Sequence, residues 1–180
     1  PPCPGNVMTS NPEWAKSLSA FREDIFRWVH QPSPEGFMAL AIFLDARAVA
    51  GDESLLLVLK NHLIQLMHGQ QTLVRHFARV ILTFPTPLGL FNRFLLEKGS
   101  ERGTLDIKKG GIFPVVHGVR PLALEHGLTE TNTIGRLQIL SGQRPLGREF
   151  TADLIEAFDF MSMLRLRSQL KQLEEGGAIS

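Results

Sequence analysis

The sequence predicts an all-α fold, an antiparallel bundle of about seven helices. Three observations carry that expectation. Apolar residues recur at three- and four-residue spacing along most of the chain, the period of one helical face. Asn, Ser, Asp or Thr stands repeatedly before such runs, twice with Pro and Glu directly after it, which is how helices start. Strict alternation of apolar and polar residues, the mark of a half-buried strand, is almost missing.

Asn11 with Pro12 and Glu13 is the first start signal, since the Asn side chain accepts from an amide that the helix leaves unpaired and proline has no amide to leave. Trp14, Leu18, Phe21, Ile25, Trp28 and Val29 follow at helical spacing, with Lys16, Arg22, Glu23 and Arg27 on the other side, and the helix ends before Pro32. Ser33, Pro34 and Glu35 repeat the signal and open a short apolar segment from Phe37 to Leu44 that stops at Asp45 and Arg47. Being apolar all round, it reads as a buried helix. Asp52 caps a third helix to about Met67, stopped by Gly69, and a fourth runs from about Gln71 to Thr83, stopped by Pro85 and Pro87. Residues 85–103 form the longest irregular segment, after which the chain resumes; Phe94, Leu95 and Leu96 are a candidate short strand within it. This segment separates halves at 11–84 and 104–175.

Beyond Gly110 and Gly111, the residues Ile112, Val115, Val116, Val119, Leu122 and Ala123 predict a fifth helix. Pro114 is tolerable in its first turn, Pro121 should kink it, and Gly127 ends it. Thr129 reads as the cap of a shorter sixth helix to about Leu140, and Thr151 as the cap of a long seventh to about Leu173.

Composition narrows the function. With 180 residues, 43% of them hydrophobic, the chain can bury a core of one domain or of two packed halves. Nineteen basic residues against eighteen acidic leave a net charge of +1, so no global field draws in a nucleic acid or an anionic membrane, and any anion site must be local. The single Cys3 cannot form an internal disulfide, no leader-like segment opens the chain, and no apolar run reaches the roughly 18–20 residues of a membrane span. A soluble, cytoplasmic protein is expected. Residues 1–10, PPCPGNVMTS, hold three prolines and a glycine without periodicity and read as a linker from an upstream domain; residues 11–180 are the helical domain.

The chemistry of independent catalysis is missing from the pattern. Metal-assisted nucleotidyl transfer uses carboxylates spaced i, i+2 on a strand, and no two of the eighteen acidic residues have that spacing. There is no phosphate-binding GxxxxGK[ST] loop and no HExxH pair, and the six histidines lack ligand-like partners on a shared face. Ser17, Ser54 and Ser141 lie in no nucleophile elbow. Catalytic and metal-ligating residues are therefore not assigned.

One local feature rises above this background. Asp106, Lys108, Lys109, Gly110 and Gly111 stand directly before the fifth helix, with His117 and Arg120 at i, i+3 on its less apolar face. Unpaired amides at a helix start, glycines and nearby cations are the components of a phosphate cradle. Spacing alone favours a plainer reading about two to one: a lysine-bearing loop, with His117 and Arg120 tied to carboxylates elsewhere. Asp45 and Arg47, at the end of the greasy second helix, suggest a buried bridge or a pair facing a partner domain. Arg165, Arg167 and Lys171 read as a solvated face.

Three segments together carry a family resemblance: PPCPGNVMTSNPEW at the start, AIFLDARAVAGD at 41–52, and LDIKKGGIFPVVHGVRPLALEHGL at 105–128, continued by DLIEAFDFMSMLRLRSQL at 153–170. With them the chain resembles, over nearly its whole length, the C-terminal domain of bacterial nucleotidyltransferases of the DUF294 type, signalling proteins often fused to cyclic-nucleotide-binding and CBS domains. The resemblance implies a helical, substrate-binding domain packed after a catalytic domain similar to that of the PII-protein uridylyltransferase. It places the family's motif positions at Asp45, Arg47, Asp106, Lys108, Gly110, Gly111, His117 and Arg120, and it gives the catalytic carboxylates no counterpart here.

The resulting expectation is a non-catalytic domain that completes the cleft of an upstream nucleotidyltransferase domain of the same chain. Lys108, Lys109 and Arg120 would position nucleotide phosphates or the acceptor, which is left open and includes a protein substrate. No cofactor is assigned to the domain itself; magnesium and a nucleoside triphosphate would enter with the catalytic domain. The rival is a dimerisation or signal-relay module without contact to the reacting groups, acting as a homodimer.

Overall fold

The computed structural model describes residues 14–79, 105–142 and 146–176. These residues form α1 (Leu18–His30), α2 (Pro34–Leu44), α3 (Glu53–Met67), α4 (Gln71–Arg79), a π-helical turn (Lys108–Ile112), α5 (Phe113–Glu125), α6 (Thr133–Gly142) and α7 (Arg148–Glu174). No strand occurs among the described residues, so the fold is all-α, as predicted. The predicted linker at 1–10 and the irregular segment at 85–103, with its candidate strand, lie outside the described residues, as does the end of the fourth helix beyond Arg79. The chain divides into two compact units, Pro1–Leu73 and Val74–Ser180.

In the first unit α1 packs on α2 and α3. The helix starts later than its sequence suggests. Trp14 lies in a turn, and Ser17 is the cap, its Oγ accepting from the Ala20 amide at 3.3 Å. Trp14 still belongs to the aromatic packing, with its ring 6.4 Å from Phe21 and 6.2 Å from Trp28; Trp28 in turn lies 6.4 Å from Phe43 on α2. Asp24 is buried in α1 and is held by ion pairs with Lys16 and Arg27, the partners a buried carboxylate requires.

The second helix starts as predicted: Ser33 Oγ accepts from the Gly36 amide at 3.0 Å, with Pro34 in the first turn. It is less enclosed than expected, since Leu40, Ala41 and Phe43 are buried but Met38 is 60% exposed. Asp45 is its C-cap residue, and Arg47 is exposed, so the two do not form the buried bridge that the sequence suggested. The backbone leaves the helix at Asp45, which carries Arg47 out to solvent. Asp52 caps α3 through the Ser54 amide at 2.9 Å, and Gly69, at φ 80°, follows its end at Met67. Ile25, Leu40 and Leu63 are at most 1% exposed, each worth roughly 1.5–3 kcal/mol of burial.

The second unit is built on contacts of α5 with α6, and of α6 with α7. Val119 of α5 and Leu137 and Leu140 of α6 form its core, against which Leu154 and Ile155 of α7 pack. α5 runs through Pro121, which is buried, and ends in a glycine turn. The Leu128 amide donates to the Ala123 carbonyl at 2.8 Å and the Gly127 amide to Leu124 at 3.1 Å, with Gly127 at φ 64°. Leu128 thereby reaches the core.

Two predicted caps fall elsewhere. Asn132, not Thr129, caps α6, accepting from the Gly135 amide at 3.0 Å; Glu130 Oε1 takes the amides of Thr131 and Asn132 at 2.7 Å each. The three residues after Thr129 are thus spent on a tight turn that Arg136, 2% exposed, locks by donating from Nε to the Glu130 carbonyl. α7 starts at Arg148, a turn before Thr151. Thr151 is buried and bonds back to the Gly147 carbonyl through Oγ1 at 2.9 Å, which satisfies the hydroxyl inside the helix rather than at its end.

Candidate functional site

Asp106 organises the segment that the sequence singles out. Its side chain accepts from the Lys109 amide at 2.9 Å, its carbonyl takes the Gly110 amide at 2.9 Å, and its other carboxylate oxygen lies 3.2 Å from Lys109 Nζ. Burial alone would raise its carboxyl pKa. The hydrogen bonds from the Lys109 amide and side chain, the charge of Lys109 and the Lys108 amide outweigh that, and the group stays below its ordinary value.

This geometry corrects the expected cradle. Lys108–Ile112 is a π-helical turn continuous with α5, closed by the Phe113 amide on the Lys108 carbonyl, and not a loop ending at a bare helix start. The Asp106 carboxylate takes the Lys109 amide and the Asp106 carbonyl takes the Gly110 amide, so these two amides do not await a phosphate. Gly111 also has another use. A Cβ there would stand 2.1 Å from Met161 Sδ, so the missing side chain admits α7 and not a ligand.

The close approach of α7 creates a groove of about 520 Å³ between residues 105–109 and the C-terminal half of α7. Asp106, Lys108 and Lys109 line one wall, and Arg165, Ser168, Gln169 and Gln172 line the other. Lys108 and Lys109 are exposed and Arg165 half-buried. Lys108 Nζ also lies 5.2 Å from the Phe113 ring centre, a cation–π contact that steadies the chain while leaving the charge accessible.

His117 and Arg120 are brought together, but not as lining of this groove. Arg120 Nη1 is 3.4 Å from His117 Nδ1, and His117 meets Phe113 edge-on at 5.8 Å, so Lys108, Phe113, His117 and Arg120 form a line of contacts along α5. Asp45 and Arg47 belong to the first unit and Gly110 to the turn itself. The residues that sequence reasoning missed are Ser168, Gln169 and Gln172, together with the groove-facing role of Arg165. Their only signal was the amphipathic pattern of α7, which does not say what the helix packs against.

Among the described residues no three His, Cys, Asp or Glu side chains are placed to hold a metal ion. No described helix is long and apolar enough to cross a membrane.

Residues 71–180, more than half of the chain, match the family described as "Putative nucleotidyltransferase substrate binding domain", and residues 1–35 match "Putative nucleotidyltransferase DUF294". No curated protein and no solved structure matches the chain.

Proposed function

The chain belongs to the nucleotidyltransferase substrate-binding domain family, and on that premise we propose that the groove between the Asp106–Lys109 segment and α7 holds an anionic group of the transferase's substrate. The observation that carries this reading is the convergence of Lys108, Lys109 and Arg165 with the polar side chains of Ser168, Gln169 and Gln172 on one groove. Lysines supply mobile point charges, while a half-buried guanidinium supplies directed donors, a combination suited to phosphate or carboxylate oxygens. His117 and Arg120 extend the polar surface along α5.

In this reading the domain binds and orients but does not react. Magnesium and the nucleoside triphosphate are handled by the upstream nucleotidyltransferase domain, on whose side the match over residues 1–35 falls. The reading further places the whole protein in the bacterial cytoplasm, as a uridylyltransferase-like arm of a signalling chain with sensor domains.

The test is isothermal titration with ATP, UTP and inorganic pyrophosphate, with and without magnesium, of the chain and of Lys108→Ala/Arg165→Ala. Loss of two charge-assisted contacts should weaken binding at least about tenfold. Equal affinity in the double variant, or no binding by the folded wild type, overturns the assignment of this groove.

A further inference from the structure

The side of α7 roughly opposite the groove carries a second pattern. Asp153, Glu156, Phe160, Met163, Arg167 and Leu170 are all exposed and follow one another at alternating three- and four-residue steps, the 3.5-residue period of a helix that pairs with another helix. Phe160, Met163 and Leu170 are 63%, 52% and 50% exposed, and a shallow apolar depression follows this face past Phe160 and Met163.

Charge identifies the occupant. From Glu149 to Phe160 every charged residue is acidic (Glu149, Asp153, Glu156, Asp159), and from Met161 to Leu173 every one is basic (Arg165, Arg167, Lys171). The helix dipole favours such a bias only in the first and last turns, whereas here it runs to the middle of a 27-residue helix. The sequence of this face is complementary to itself reversed.

We propose that α7 pairs with α7 of a second copy of this chain, antiparallel, about a two-fold axis between residues 161 and 162. Phe160 of each copy then lies against Met163 of the other, Glu156 against Arg167, and Asp153 beside Leu170 and Lys171. A parallel pair would set Glu156 against Glu156 and Arg167 against Arg167, and the repulsion rejects it. At the ends Glu149 meets Glu174, the one unfavourable match. A single helix pair is a small interface beside the roughly 800 Å² per partner of a standard one, and a dimer in the micromolar range is expected.

The test is sedimentation velocity of the 180-residue chain from about 5 to about 500 µM at low salt, a range that brackets such an affinity. Wild type should pass from monomer to dimer across it. Glu156→Arg and Arg167→Glu each turn two symmetric ion pairs into repulsions and should weaken the dimer at least about tenfold, while the double swap should return it to within about threefold. Glu174→Lys should tighten it. All of these positions are exposed, so helicity by circular dichroism should not change. A wild type that stays monomeric, single reversals without effect, or a double swap that fails to recover overturns the proposal.

Discussion

Replacing Gly111 by alanine sets two effects against each other whose sizes the structure fixes. In a helical segment alanine is favoured over glycine by roughly 0.5–1 kcal/mol, because glycine has more backbone freedom to lose. The new Cβ, however, would stand 2.1 Å from Met161 Sδ, 3.3 Å from its Cε and 3.7 Å from its Cγ. The sulfur sits mid-chain, so the Met161 side chain must leave its position or α7 must retreat by more than an ångström, and overpacking of that kind costs about 1–3 kcal/mol. The steric term wins, and Gly111→Ala should destabilise the second unit by about 0.5–2 kcal/mol, or roughly 1–8 °C in Tm. In a Met161→Ala background the obstacle is gone and only the backbone term remains. The same substitution should then stabilise by about 0.5–1 kcal/mol. Guanidinium unfolding of the four proteins of this cycle, followed by circular dichroism, reads both numbers. If Gly111→Ala stabilises the wild type, or if its sign is the same in both backgrounds, the account of this glycine as the entry for α7 is wrong.

Further outcomes follow from single contacts. Arg136→Ala removes a buried guanidinium that closes the Glu130 turn and should cost about 2–4 kcal/mol by chemical denaturation, with Arg136→Lys recovering little because its ammonium lacks the directed Nε donor. Ser33→Ala should cost about 1 kcal/mol through loss of the α2 cap, and Ser33→Asp should keep most of it. The Asp106 carboxyl lies below its ordinary value of 3.8 in the folded chain, so the unfolded chain binds the extra proton first. Its stabilising contribution is complete above that value and is lost as pH falls from about 5 through the folded value; Asp106→Asn should flatten this acid limb in unfolding curves taken between about pH 2 and 6.

The helices were legible because their determinants are local. Ser33–Pro34, Asp52 and Gly69 act within four residues of themselves, and the structure uses each as the sequence implies. The caps that moved were those with competitors close by. Thr129 competes with Asn132, and Thr151 with Gly147, and the choice depends on what the flanking side chains reach in three dimensions: the Arg136 lock and the packing around α7. At the candidate site, the sequence marked Lys108 and Lys109 as a concentration of charge, and both line the groove. It misread Asp106 and Gly111, because nothing in a string of letters distinguishes a glycine that faces a ligand from one that faces Met161. Arg165 and its polar neighbours are some sixty residues away and join the groove only through helix packing.

Asp106 also has a consequence for how the groove recruits anything. By taking the Lys109 amide and pairing with the Lys109 ammonium, its carboxylate acts as a resident counterion. Among the groove-lining residues its single negative charge offsets one of the three cations Lys108, Lys109 and Arg165, leaving a formal +2. Attraction of that kind reaches only about a Debye length, roughly 10 Å at 0.1 M salt, and fades as salt is added. On the proposed reading of this groove, a dianion would be favoured over a monoanion, and its binding would weaken as salt is added.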